Sequence, residues 1–340
     1  MIRPPPVAPE ALVRARPLMS AAMHRAGDRL PLPIRRIVAY HLGWVDPDGH
    51  EVEGDGGKAV RPTVTLLSSE AVGGSAEAAV TGAVALELVH NFSLIHDDVM
   101  DGDRERRHRP TVWALFGVGE AIIAGDALMT LAQQLLAEDG RPRARTAAVE
   151  LARATAEMIL GQSEDLSFES RLDVTEAECL AMCGHKTGAL MAAAGALGAI
   201  LGDGDRQAID RLRSFGRHVG LAFQAVDDLL GIWGDPAVTG KPAASDLRQR
   251  KKTIPVAHAM AAGGPISEEL KVLLSNGDLT GERLNRAVAL LEEGGSRAWT
   301  QQLADEHLRA ALDELEGDGL ASGSVRDLRE IAQFVVQRDF

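Results

Sequence analysis

Apolar positions recur at the three-to-four-residue spacing of amphipathic helices along almost the whole chain, and no run of alternating β-branched residues is long enough to demand a sheet. The spacing predicts helices over residues 11–26, 60–72, 76–101, 117–137, 143–163, 175–201, 205–233, 252–261, 266–274, 280–291, 294–315 and 324–337. Breaks fall at clusters such as Glu138-Asp139-Gly140-Arg141-Pro142 and Gly202-Asp203-Gly204. Turn chemistry runs from Asp46-Pro47-Asp48-Gly49 to Gly57, so Lys58 enters its helix from a loop. Residues 1–10 are proline-rich and predicted to form a flexible tail, and residues 11–340 a single all-α domain. No repeat at solenoid spacing is found.

Composition strengthens the helical expectation. Hydrophobic residues make up 45% of the chain but aromatics only 4%, which favours close-packed helices over strands. The acidic balance, 49 Asp and Glu against 36 Lys and Arg, comes without a basic stripe and argues against a nucleic-acid partner. Cys179 and Cys183 lie four apart in a predicted helix, so a disulfide framework is excluded and a reducing, cytoplasmic setting is expected. The first residues lack a signal peptide's apolar region and the last lack a prenylation cysteine. The most apolar stretch, 188–202, falls short of the roughly 20 residues a bilayer requires, so no integral membrane segment is expected.

Two aspartate clusters, His96-Asp97-Asp98-Val99-Met100-Asp101 and Gln224-Ala225-Val226-Asp227-Asp228-Leu229-Leu230, end strongly apolar helical segments. On a helix Asp97 and Asp101 share a face and raise each other's pKa unless a cation is bound. Such hard oxygen ligands suit Mg2+, which keeps several waters and takes its other ligands from substrate phosphates. An exposed acidic helix end is the plain alternative for either cluster alone. Cations stand near both clusters or beside flexible glycines: Lys58 and Arg61 in Gly56-Gly57-Lys58-Ala59-Val60-Arg61-Pro62, then Arg106 and Arg107, then Lys241 in Gly240-Lys241-Pro242. In a chain of net charge −13 this placement points to a diphosphate. Neither Gly-Lys pair has the spacing of a P-loop, and Asp101-Gly102-Asp103-Arg104-Glu105 lacks the glycine and glutamate of a calcium loop.

From about residue 50 to residue 260 the chain resembles the trans-isoprenyl diphosphate synthases, the all-helical polyprenyl synthetase family. The motifs recur in order: Gly56-Gly57-Lys58-x-x-Arg61-Pro62, then His96-Asp97-Asp98-x-x-Asp101 with Arg106-Arg107-x-x-Pro110-Thr111. Gly125-Asp126-Ala127-Leu128, Gly161-Gln162-x-x-Asp165 and Lys186-Thr187-Gly188 follow. Phe223-Gln224-x-x-Asp227-Asp228, Gly240-Lys241 and Asp246-Leu247-x-x-x-Lys251-x-Thr253 complete the set. Gly231 departs from the pattern, standing where the second region normally has a third aspartate, and so removes one carboxylate from the face of Asp227. Ala59, His108 and Trp113 replace a frequent arginine, glycine and histidine.

The resemblance implies a single-domain isoprenoid-synthase bundle around a central substrate cavity, active as a homodimer. It implies condensation of isopentenyl diphosphate with geranyl or farnesyl diphosphate through ionisation, condensation and elimination. Asp97, Asp98, Asp101, Asp227 and Asp228 would hold three Mg2+ ions, with Asp246 acting through metal-bound water. Arg106, Lys186 and Lys241 would bind the allylic diphosphate, and Lys58, Arg61, His90 and Arg107 the isopentenyl diphosphate. Thr187 and Gln224 would turn oxygen atoms toward the allylic cation, and the departing diphosphate would take the proton. In this family, bulk beneath the first aspartate region sets product length; Phe92, with Ser93 beside it and no insertion between Asp98 and Asp101, resembles synthases of geranylgeranyl diphosphate. Two alternatives stay open: a class I terpene cyclase, which needs no second anion site, and a regulatory partner subunit, which the intact first aspartate region disfavours.

Overall fold

The computed structural model describes residues 8–52, 59–235, 244–275 and 278–336. Lys58, Lys241 and residues 1–7 of the expected tail lie outside the described residues.

Helix α1 (Glu10–Gly27) is followed at once by α2 (Leu32–His41), which the periodicity did not predict. Proline flanks and enters its first turn, where a missing N–H costs nothing. Helix α3 (Val60–Ala71) leads to α4 (Ala76–Met100), which starts where the Ser75 hydroxyl accepts the N–H of Ala78 and stops with Asp101 as its C-cap. A two-residue hairpin follows, β1 (Glu105–Arg106) against β2 (Arg109–Pro110), with Arg106 opposite Arg109. Arg107 and His108 make its turn, both left-handed at φ 52° and 60°. Paired positive φ is what a tight hairpin requires.

The helix expected over 117–137 is α6 (Val118–Glu138), and a short unpredicted helix α5 (Val112–Phe116) precedes it, divided from it at Gly117, whose φ is +93°. Helix α7 (Ala144–Glu169) runs a turn and a half beyond its predicted end. Helix α8 (Glu176–Cys183) opens on a Thr175–Glu178 capping box. Its expected continuation to 201 is broken by a π turn (Gly184–Gly188) before α9 (Ala189–Leu201). Then come α10 (Arg206–Trp233), capped by Asp205, and a short unpredicted helix α11 (Ser245–Arg248). Helices α12 (Ile254–Ala261), α13 (Gly264–Ser275), α14 (Gly281–Glu293), α15 (Ser296–Glu314) and α16 (Ser322–Val336) complete the chain.

The core is built on α9, every residue of which is buried, between α3, α7 and α10. Its small residues let backbones approach. A Cβ on Gly198 would lie 2.0 Å from the carbonyl oxygen of Thr65 in α3, and one on Gly195 2.0 Å from that of Leu212 in α10. This is where the alanine and glycine content is used in place of aromatics. Helix α4 packs on α3, α6 and α9. It, rather than 188–202, is long and apolar enough to cross a bilayer, yet 61% of its apolar window is buried inside the bundle. Cys179 and Cys183 are free and buried, the Cys179 thiol donating to the Lys252 carbonyl at 3.1 Å.

Candidate active site

The C-terminal turn of α4 forms the first acidic wall. Asp97, Asp98 and Asp101 crowd the negative end of a helix dipole, an arrangement that disfavours their charge unless cations are near. Asp98 is 1% exposed; its Oδ1 accepts from Arg106 Nε at 2.8 Å, and its Oδ2 is buried with no hydrogen-bond partner. Burial pushes both Asp97 and Asp98 up to about 6, although Lys186 and Arg106 pull Asp97 down and Arg106 does the same to Asp98. Asp101 Oδ2 accepts from Lys251 Nζ at 3.0 Å. Arg106 is placed by the hairpin, which is anchored where Tyr40 Oη donates to the Pro110 carbonyl at 2.7 Å. Trp113 Nε1 and Thr111 Oγ1 both donate to the Asp103 carbonyl, closing the loop onto α4.

Asp227 and Asp228 of α10 form the second wall. Asp228 is 4% exposed and accepts from the Ile254 N–H at 2.8 Å and from Gln224 Nε2 at 2.7 Å. Burial pushes it up to about 8, with Asp246 and Asp227 adding to the rise. Gln224 Oε1 in turn accepts from Thr187 Oγ1 at 2.5 Å. Gln224 is therefore a link between Thr187 and Asp228 through both ends of its amide. Its oxygen is turned to Thr187, whereas the hydroxyl of Thr187, having donated its proton, keeps lone pairs for another group.

Lys186 and Thr187 reach these walls because of the π turn. A Cβ on Gly161 of α7 would sit 2.3 Å from the Lys186 backbone nitrogen, so the two backbones touch where the helix widens. Lys186 Nζ donates to Asp165 Oδ2 at 2.6 Å. Lys251, given no role in the sequence reading, sits between the walls: burial alone would lower it, but Asp101, Asp165 and Asp246 hold it above the ordinary lysine range.

A basic group gathers around His90, on α4 two turns before Asp97 and about 10 Å along the axis. Arg61 Nη1 is 3.2 Å from His90 Nε2, and Arg61 Nε is buried without a partner. Burial, then Arg61, Arg107 and Arg106, depress His90 well below the usual histidine range. His41 of α2 joins it, 3.1 Å from Asn91 Oδ1 and held down to about 3 by burial and by Arg106 and Arg107. Glu87, one turn before His90, attracts Arg61. His41, Glu87 and Asn91 carry no motif signal, and their spacing to the other groups exists only in the fold.

Phe92 is 6% exposed and stands edge-on to His96, centroids 4.9 Å apart. Half-buried Ser93, on the Asp97 side of α4, donates to the His90 carbonyl at 2.8 Å.

The donor set fits magnesium bound with a phosphorylated ligand. Asp98 Oδ2 and both amide atoms of Gln162 are buried and unpartnered, and the raised carboxylates would be relieved by a cation. Among the described residues the three possible ligands that converge within 4.8 Å are Asp46, Asp48 and His50, on an exposed turn that their own hydrogen bonds explain. The walls themselves do not converge so closely, as suits ions completed by phosphate oxygen and water.

The family model for polyprenyl synthetase matches residues 48–291. The chain is 44% identical over 328 residues to (2E,6E)-farnesyl diphosphate synthase of Mycobacterium tuberculosis (strain ATCC 25618 / H37Rv), covering 95% of this chain and 91% of that one. It is 39% identical over 330 residues to geranylgeranyl diphosphate synthase of the same strain, covering 96% and 93%. The crystal structure of polyprenyl synthetase from Streptomyces coelicolor A3(2) superposes with a TM-score of 0.91 at 48% identity, covering 96% of this chain and 99% of that one.

Proposed function

Because this chain belongs to the polyprenyl synthetase family, and is a trans-prenyl diphosphate synthase by its relatives, we propose that it condenses isopentenyl diphosphate with geranyl or farnesyl diphosphate to give mainly geranylgeranyl diphosphate. The observation that carries this proposal is along α4: its C-terminal end bears the carboxylates Asp97, Asp98 and Asp101, and two turns earlier its His90 meets Arg61 of the neighbouring α3 at 3.2 Å. Two separate charged stations suit two diphosphates, whereas a terpene cyclase would need one.

Asp97, Asp98, Asp101, Asp227 and Asp228, with Asp246, would hold Mg2+. When bound, Mg2+ supplies positive charge that stabilises a departing diphosphate. Arg106 and Lys186 would bind the allylic diphosphate together with Lys241, and Arg61, His90 and Arg107 the isopentenyl diphosphate together with Lys58; both lysines lie outside the described residues. Neutral His90 can donate to a phosphate oxygen while the arginines carry the charge. The lone pairs of Thr187, oriented by its donation to Gln224, would face the allylic cation. The departing diphosphate would accept the proton.

Geranylgeranyl diphosphate as main product is supported by Phe92, buried on α4 five residues before Asp97, which would form the floor beneath the first acidic wall. Farnesyl diphosphate is the second reading, favoured by the higher identity to the mycobacterial farnesyl synthase. A cytoplasmic homodimer is also proposed. Two free cysteines suit the first, and the second is supported by Leu115, Val118, Ile122, Ile123, Ile159 and Leu160 on α5 to α7, each 40–48% exposed.

Labelled isopentenyl diphosphate incubated with purified protein, Mg2+ and each allylic primer tests the proposal. Elongated product is expected. Diphosphate release from one primer alone, with no elongation, would instead identify a cyclase.

A further inference from the structure

Gly231 lies within α10, one turn past Asp227 and Asp228. Its φ is not among the positive values, so its backbone does not require glycine, and glycine inside a helix costs roughly 1 kcal/mol relative to alanine. A close approach explains it. A Cβ built on Gly231 would lie 1.9 Å from Oδ2 and 2.5 Å from Cγ of Asp246. The Asp246 carboxylate therefore fills the volume that a side chain at 231 would take.

Asp246 is held there by its own segment. The left-handed turn at Ala244, φ +53°, swings the chain into α11. Ser245 Oγ then lies 3.4 Å from the Gly231 carbonyl oxygen and 3.2 Å from Asp246 Oδ1. The Asp246 carbonyl accepts from the Lys251 N–H at 2.9 Å, which ties the segment to the lysine that meets Asp101.

We propose that Gly231 is a positioning residue: by lacking a side chain it admits Asp246 as the third carboxylate of the second acidic wall. The wall then keeps its carboxylate count, with one group delivered from α11 in place of a side chain from α10. Gly231 is on this account no deficit in metal binding, and Gly231→Asp alone would expel Asp246 rather than add to it.

The inference rests on the proposed function, and calorimetry with inorganic pyrophosphate at varied Mg2+ separates the two. Gly231→Ala and Asp246→Ala should each raise the magnesium needed for half-maximal pyrophosphate binding by at least tenfold. The Gly231→Ala/Asp246→Ala double variant should be no worse than Asp246→Ala, because both changes remove the same group. Gly231→Asp/Asp246→Ala, which moves the carboxylate from one segment to the other, should recover most of the loss. Metal-free binding of isopentenyl diphosphate should stay at the wild-type level in all four, which loss of fold would not allow. Wild-type magnesium dependence in Gly231→Ala, additive losses in the double variant, or no recovery with Gly231→Asp/Asp246→Ala would overturn the inference while leaving the function standing. A wild-type protein that binds no pyrophosphate at any magnesium concentration would overturn both.

Discussion

Phe92→Ala should lengthen the product. The ring is 6% exposed and meets His96 edge-on, and His96 is fixed in turn: its Nε2 lies 3.1 Å from the Ile122 carbonyl oxygen and is seated over Gly125 of α6, where a Cβ would lie 2.2 Å from it. His96 is thus braced and cannot collapse into the space left by the ring. Truncating a buried phenylalanine costs about 3–5 kcal/mol in stability. A further isoprenyl unit brings five carbons, which at roughly 0.8 kcal/mol per buried CH2 contribute about 4 kcal/mol when they enter the same space. The two terms are of equal size, so a longer tail can offset the cavity. Thermal unfolding should show the substrate-free variant melting below wild type. Chromatography of dephosphorylated products, made from labelled isopentenyl diphosphate and farnesyl diphosphate, should show chains longer than geranylgeranyl. An unchanged product distribution in a variant that has lost the stability would refute the reasoning, and Phe92 would be a core aromatic only.

Asp97→Ala or Asp98→Ala should lower turnover at least a thousandfold, since each removes a carboxylate of the proposed metal site and Asp98→Ala also takes from Arg106 the group it donates to; a steady-state assay at saturating Mg2+ measures this. Arg61→Ala should weaken isopentenyl diphosphate roughly tenfold to a hundredfold, from a charge-assisted contact of about 1.5–3 kcal/mol, with the allylic KM nearly unchanged. Gly161→Ala drives a Cβ into the Lys186 backbone, and overpacking of this kind costs about 1–3 kcal/mol, read as a lowered Tm together with weaker allylic binding. Without ligands, stability should fall between pH 6.5 and 8: Asp228 holds its proton up to about 8 in the folded state but to about 3.9 unfolded, so the folded state binds more protons across that window. His41, held down to about 3, acts in the opposite sense but only below its unfolded value near 6.5. Denaturant titrations at both pH values should show the fall in wild type and not in Asp228→Asn, and Mg2+ with pyrophosphate should abolish it.

The helical character of the chain and its acidic motifs were legible in the sequence because both are local. A period near 3.6 and a carboxylate every third or fourth residue depend only on neighbours along one helix, which is why the bounds of α4 and α10 fall close to those expected. The placing of Asp97, Asp98, Asp101, Asp227 and Asp228 on helix ends came from that same local signal. Where α7 presses on Lys186, however, the pattern of 175–201 reads as one unbroken helix. The π turn lies where Gly161, more than twenty residues earlier, allows contact between backbones. Helices α2 and α11 are too short for their periodicity to stand out, yet one brings His41 to Asn91 and the other brings Asp246 to Gly231. Lys251 gains its place between Asp101, Asp165 and Asp246 from three separate segments. Which residue types each helix face presents follows from local spacing alone. Which faces meet depends on packing between distant segments, and with that whether Gly231 is a missing carboxylate or the space for one, because a side chain's volume can be exchanged between segments that sequence spacing does not relate.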